Sequence, residues 1–286
     1  MQTGAAGEWK PLDLGLEDKV ALIAGGSSGL GLAVATELAR EGAHVAIGGR
    51  DRERLAAARR RLEQVARRRV HTTSVDVTDD AAARRWVGDV AAEFGGLHIV
   101  VVSGGSPPVG AASQFGLEDY RTAVERNLFP PIRLALAVLP HMKAARWGRI
   151  LFVASETANH PVGMLALSGM ARAGVVRFAE SLASEVGKDG ITVNVLAPGA
   201  TRTEMVERAA AKMARDGDVE AELRTWGSNN AVGRIGRLDE FAAAATFLAS
   251  DRASFITGRV HLMDGGASVM EELPYIKTAA PKDVFT

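Results

Sequence analysis

Two stretches of the chain have the residue types and spacing to hold an anion. The first is Ala24-Gly25-Gly26-Ser27-Ser28-Gly29-Leu30-Gly31, between a short apolar run and an amphipathic segment starting at Leu32. Glycines let the backbone turn tightly and come close to a pyrophosphate. The amides at the start of the following helix, backed by its dipole, then meet the negative charge. A glycine cluster alone also makes an ordinary strand-to-helix turn. Its place here, after the first strand and opening the first helix, points to dinucleotide binding, with Gly25, Ser27, Ser28, Gly29 and Leu30 as contact residues. The second stretch is Gly48-Gly49-Arg50-Asp51, which ends the second apolar run. An acidic residue there binds a ribose 2′-hydroxyl, whereas an arginine accommodates a 2′-phosphate. Arg50 favours NADP(H) over NAD(H); Asp51 argues the other way, and a solvated loop arginine is the plainer alternative.

Such a loop works only if strands and helices alternate around it. Continuous apolar runs occupy 20–24, 44–48, 70–75, 99–102, 149–154, 192–196 and 260–263. Runs without polar alternation suit strands buried on both faces, as parallel strands are. Helical patterns fill 29–41, 51–68, 79–94, 117–144, 166–187 and 237–249. The alternation predicts a single α/β domain: a doubly wound, Rossmann-type, seven-stranded parallel sheet with helices on both faces. Residues 200–235 break the rhythm and read as a substrate lid. Residues 1–16 read as a flexible arm and 268–286 as an extended tail, leaving 17–267 as the folded domain. The clusters Arg59–Arg61 and Arg67–Arg69 read as the solvated face of one amphipathic helix.

Composition narrows the function. The 286 residues carry 34 basic and 34 acidic side chains, so nothing suggests a nucleic-acid or anionic-membrane partner. With no cysteine, disulfide and thiolate chemistry are excluded, and no metal is expected. No apolar stretch approaches the ~20 residues that span a bilayer. Residues 1–10 lack the basic start and apolar core of a signal peptide, so a cytoplasmic protein is expected.

Over about 17–267 the chain resembles the classical short-chain dehydrogenase/reductase family. The glycine loop matches the family's first motif, with Ala24 in place of threonine. Asp76-Val77 matches the pair that holds the adenine ring. The usual Asn-Asn-Ala-Gly has become Val102-Ser103-Gly104-Gly105. Pro198-Gly199 with Thr201 and Thr203 matches the segment that frames the nicotinamide, and Ile256-Thr257-Gly258 leads to Asp264-Gly265-Gly266 as in the family. The resemblance implies a homodimer or homotetramer through the helices at 117–144 and 166–187.

The family's catalytic Asn, Ser, Tyr and Lys are matched only in part. Asn127 and Ser155 fit the first two positions. The tyrosine position holds Ser168 and the lysine position Arg172, which marks an atypical subgroup. A free tyrosine has a pKa of ~10 and exchanges its proton usefully beside a cation; a serine hydroxyl is a far weaker acid. Arg172 stays charged and can bond the nicotinamide ribose, but it cannot carry a proton as lysine does. The pair therefore reads as positioning groups. Of the two tyrosines, Tyr120 is expected to face away and Tyr275 lies in the tail. A free histidine titrates near ~6.5, which suits proton transfer near neutrality, and His160 is the candidate proton relay, against the alternative of a loop histidine before Pro161. Glu156 is expected to point to the opposite face and receives no role. Ser155 can donate to a substrate oxygen under any mechanism; its alternative is local backbone capping.

The leading expectation is an NADP(H)-dependent oxidoreductase acting on a ketone or alcohol of a small to medium apolar substrate. The competing readings are a non-redox isomerase, dehydratase or cyclase, and a non-catalytic dinucleotide-binding protein. Ser106-Pro107-Pro108, Met164, Met205, Met213 and Trp226 lean towards an apolar pocket, although such residues more often serve ordinary packing.

Overall fold

A computed structural model describes residues 13–270. Seven parallel strands form one sheet: β1 (Val20–Ala24), β2 (His44–Gly49), β3 (Val70–Ser74), β4 (Ile99–Val102), β5 (Gly148–Val153), β6 (Ile191–Pro198) and β7 (Val260–Met263). Their order is β3-β2-β1-β4-β5-β6-β7. The chain winds one way from β1 and the other way from β4, so a crevice opens where the carboxyl ends of these neighbours meet the reversal.

Helices cover both faces because the central strands β1 and β4 are apolar on both sides. On one face α1 (Gly29–Arg40), α2 (Arg52–Glu63) and α9 (Leu238–Leu248) bury Leu38, Leu62 and Phe241 against Ile23 and Ile47. On the other, α3 (Asp80–Phe94), α5 (Phe129–Ala145) and α6 (Ala166–Val186) bury Trp86, Leu134 and Val175 against Leu22, Val100 and Phe152. The expected single α/β domain is the one observed.

Two expected helices differ. The helix at 117–144 is two, α4 (Leu117–Asn127) and α5, meeting at Leu128. Pro130 and Pro131 lack the amide protons needed to continue α4 but suit the first turn of a new helix. The helix expected to 68 stops at Glu63, and Arg68 instead donates to Asp18 at 2.6 Å while Arg69 pairs with Glu93. Within 200–235 lie two helices, α7 (Glu204–Met213) and α8 (Val219–Gly227). Of the expected N-terminal arm, residues 13–16 are docked: Leu16 is buried, and Leu14 O accepts from Asp251 N. The rest of the arm, and the tail beyond Met270, lie outside the described residues. Among the described residues no helix is long and apolar enough to cross a membrane.

Candidate active site

The β1–α1 loop presses against the end of β4. Gly25 has φ +72°, and a Cβ there would stand 2.0 Å from the Ser103 carbonyl oxygen. Only glycine permits that approach. Ser28, the residue preceding α1, makes no side-chain cap, so the helix's first amides face the crevice without a side-chain acceptor. A pyrophosphate fits this arrangement, because it supplies the acceptors that the chain does not.

Two adjoining cavities occupy the crevice. The first, about 560 Å³, includes Gly25, Ser27, Arg50, Asp76, Val77, Ser103, Gly104, Gly105, Asn127 and Arg172 in its lining. The second, about 420 Å³, shares the glycine loop, Ser103–Gly105 and Arg172. It adds Ser28, Gly29, Leu30, Ser155, Ser168, Pro198, Gly199, Thr201 and Thr203. Every site residue expected from the sequence therefore lines one cavity or both, except His160.

Asp76 is fixed by its neighbours. Its Oδ1 accepts from the Thr78 amide at 3.0 Å and the Thr78 hydroxyl at 2.8 Å, which hold its carboxyl below the usual range. Asn127 is buried, with Nδ2 donating to Ala123 O at 2.9 Å and Oδ1 unpartnered. Gly105 lies over that oxygen: with φ +76°, a Cβ there would come within 2.1 Å of it.

Arg172 behaves differently from the expectation that it bonds the nicotinamide ribose. It is 6% exposed, and Nη1 donates to Val153 O at 2.6 Å. Nη2 donates to the carbonyls of Gly104 and Gly105 at 2.8 and 2.9 Å. The guanidinium thus ties the segment after β4 to the end of β5 through its two Nη groups, while its buried Nε has no partner. Burial lowers its pKa to about 10, so it remains a cation at neutral pH.

Ser155 lies just beyond β5 and opens a 3-10 turn, Glu156–Ala158. Its Oγ accepts from the Thr157 amide at 3.3 Å. That bond uses an oxygen lone pair and leaves the hydroxyl proton free to donate. The buried Thr157 Oγ1 stands 3.5 Å from Ser168 Oγ, so hydroxyls from Thr157 and Ser168 meet where the family resemblance puts a tyrosine.

The same 3-10 turn carries His160 away from the cavities. The residue is half-buried, its amide donates to Glu156 O at 3.4 Å, and it lines neither cavity. Glu156 is not simply reversed as strand alternation suggests, because β5 has already ended. Its carboxylate lies beneath Gly199, where a Cβ would come within 2.9 Å of Oε2. Burial first, then the Asp264 carboxylate, raise its pKa, with His160 acting the other way. The Tyr120 hydroxyl donates to Ala112 O at 2.9 Å, and the ring faces a different groove; Tyr275 is outside the described residues.

Several lining residues escape the sequence reading, arginines among them. Arg54, in the first turn of α2, borders both cavities. Arg126, next to Asn127, borders the first. A basic residue four positions beyond Arg50, about one helical turn on, is a signal in the sequence for Arg54.

Fold and crevice together define a doubly wound α/β protein with a cleft at the sheet's reversal suited to an anion. The family model described as enoyl-(acyl carrier protein) reductase matches residues 24–268. The 3-oxoacyl-[acyl-carrier-protein] reductase FabG of Escherichia coli strain K12 is 35% identical over 253 residues, which are 88% of this chain and 98% of that protein. The BbsD subunit of (2S)-[(R)-hydroxy(phenyl)methyl]succinyl-CoA dehydrogenase from Thauera aromatica is 33% identical over 258 residues, covering 90% and 99%. The crystal structure of L-sorbose reductase from Gluconobacter frateurii, complexed with NADPH and L-sorbose, superposes with a TM-score of 0.87 at 31% identity. The match covers 91% of this chain and all of that one (100%). The chain belongs to the short-chain dehydrogenase/reductase family and is an oxidoreductase of that type.

Proposed function

We propose that the chain is an NADP(H)-dependent oxidoreductase that interconverts a ketone and an alcohol on a small to medium apolar substrate, through a catalytic site without the Tyr-Lys pair. The observation that carries this reading is the free donor of Ser155 in the same cavity as Pro198–Thr203. Arg50, at the adenosine end, supports the phosphorylated cofactor, as does the similarity to a reductase crystallised with NADPH. Gly25, Ser27 to Leu30, Asp76, Val77 and Ser103–Gly105 would hold the dinucleotide along the crevice.

A nicotinamide dinucleotide held by these residues would supply the hydride chemistry. Ser155 donates to the substrate oxygen and stabilises the negative charge that develops there, a role typically worth ~10²-fold or more in rate. Ser168 offers a hydroxyl that can hold a water beside that oxygen. In reduction the water gives its proton to the new alkoxide, and the resulting hydroxide is reprotonated from solvent. Arg172 acts as a positioning residue through Gly104 and Gly105. His160, outside the cavities, is not needed.

Exposed Val109, Met164 and Met205 support an apolar substrate, and α7 and α8 would serve as its lid. Exposed Leu117, Phe129 and Leu136 along α4 and α5 support assembly into a homodimer or homotetramer, which light scattering would measure.

The test is NADPH consumption across a panel of apolar ketones. Turnover that falls on Ser155→Ala with cofactor affinity unchanged is the expected result. Tight NADPH binding with no turnover on any ketone would move the chain to the non-redox reading.

A further inference from the structure

Arg54 and Glu204 form an ion pair across the mouth of the crevice, at 3.6 Å between Nη2 and Oε1. They come from opposite sides of it. Arg54 sits in the first turn of α2, and Glu204 is the first residue of α7. The N-cap of α7, Thr203, lies against the phosphate loop: a Cβ on Gly29 would be 3.6 Å from Thr203 Cγ2.

Helix stability does not account for Arg54. A cation in a helix's first turn opposes the dipole, and the cap there is supplied by Asp51, which accepts from Glu53 N and Arg54 N at 3.0 Å each. The guanidinium is 3.5 Å from the Asp51 carboxylate and 3.6 Å from Glu204. Both distances are long for charge-assisted hydrogen bonds. Among the described residues, Arg54 donates no side-chain hydrogen bond, so its fork of N–H groups is unspent beside the cavity that Arg50 lines. Glu204, by contrast, keeps a partner on its own helix in Arg208.

We infer that Arg54 is a specificity-determining residue that binds the cofactor's 2′-phosphate, and that Glu204 is the carboxylate with which that phosphate competes. The inference rests on the NADP(H) reading above. The competition is uneven. An exposed arginine–carboxylate pair shifts an equilibrium by about fivefold or less. A charge-assisted contact to a phosphate is worth roughly tenfold or more. A dianionic phosphate therefore takes Arg54 from Glu204, while a cofactor with a bare 2′-hydroxyl leaves the pair in place. Glu204 thereby tunes the affinity for one dinucleotide and not for the other.

The experiment is calorimetric titration of the full chain with NADPH and with NADH. It compares the parent, Arg54→Gln, Glu204→Gln and the double variant; both side chains are solvent-exposed, so all four fold. Arg54→Gln is expected to weaken NADPH binding roughly tenfold and leave NADH unchanged. Glu204→Gln is expected to strengthen NADPH binding about threefold, with NADH unchanged, and the gain disappears in the double variant. If the parent prefers NADPH but Glu204→Gln changes nothing, or its gain survives loss of Arg54, the competition is overturned and the NADP(H) reading stands. If the parent binds both dinucleotides equally, that reading falls and the inference falls with it.

Discussion

The Arg172 guanidinium donates to the Gly104 carbonyl at 2.8 Å, across 68 positions of sequence. This contact joins α6 to the loop after β4, both of which border the crevice. Arg172→Lys keeps the charge but cannot span three carbonyls with one compact ammonium. It should destabilise the fold by about 1–3 kcal/mol in urea unfolding and weaken dinucleotide binding in parallel. A variant as stable as the parent would show that the three carbonyls do not need the guanidinium.

Ser155→Ala should lower turnover by at least ~10²-fold with dinucleotide affinity little changed, because the lost donor acts on the substrate oxygen. Steady-state kinetics beside a binding titration separates the two effects. Retained turnover would remove Ser155 from the polarising role.

Gly25→Ala should abolish dinucleotide binding and destabilise the chain. It adds a Cβ at φ +72°, within 2.0 Å of the Ser103 carbonyl. The backbone strain alone is of order 1–3 kcal/mol, and relief of the clash must move the phosphate loop or the end of β4. Thermal unfolding with and without cofactor reads both consequences: a lower Tm, and no rise on adding cofactor.

Glu156 gives a pH-dependent prediction. Burial and Asp264 raise its folded-state pKa above the unfolded value, so the native chain holds this proton more tightly. Stability linked to a raised pKa is fully present below the unfolded value and is lost as pH rises through the folded one. Glu156→Gln, which cannot ionise, should therefore gain stability over the parent as pH climbs above the ordinary glutamate range. Urea unfolding at several pH values checks this, and a constant difference would contradict it.

Much of this architecture is legible in the chain, for a physical reason. A run such as Val20–Ala24, buried on both sides, has no polar residue to blur it, and a glycine loop between strand and helix carries its own mechanism. The crevice lining follows, since residues at strand ends converge wherever the sheet reverses. What sequence spacing cannot supply is the partner of a long side chain. Arg172 meets backbone oxygens, and a carbonyl carries no signature of its own in the sequence. The displacement of His160 depends on a 3-10 turn of three residues, Glu156–Ala158, too short for a periodic pattern. The break at Leu128 was legible: Pro130-Pro131 marks it, although apolar periodicity runs straight through.

The most direct test of the whole account is a calorimetric titration of the purified chain with NADPH and NADH. Saturable heat with NADPH, weaker with NADH, is the outcome expected of a crevice whose helix amides and arginines await phosphate. No heat with either dinucleotide at millimolar concentration would contradict the account.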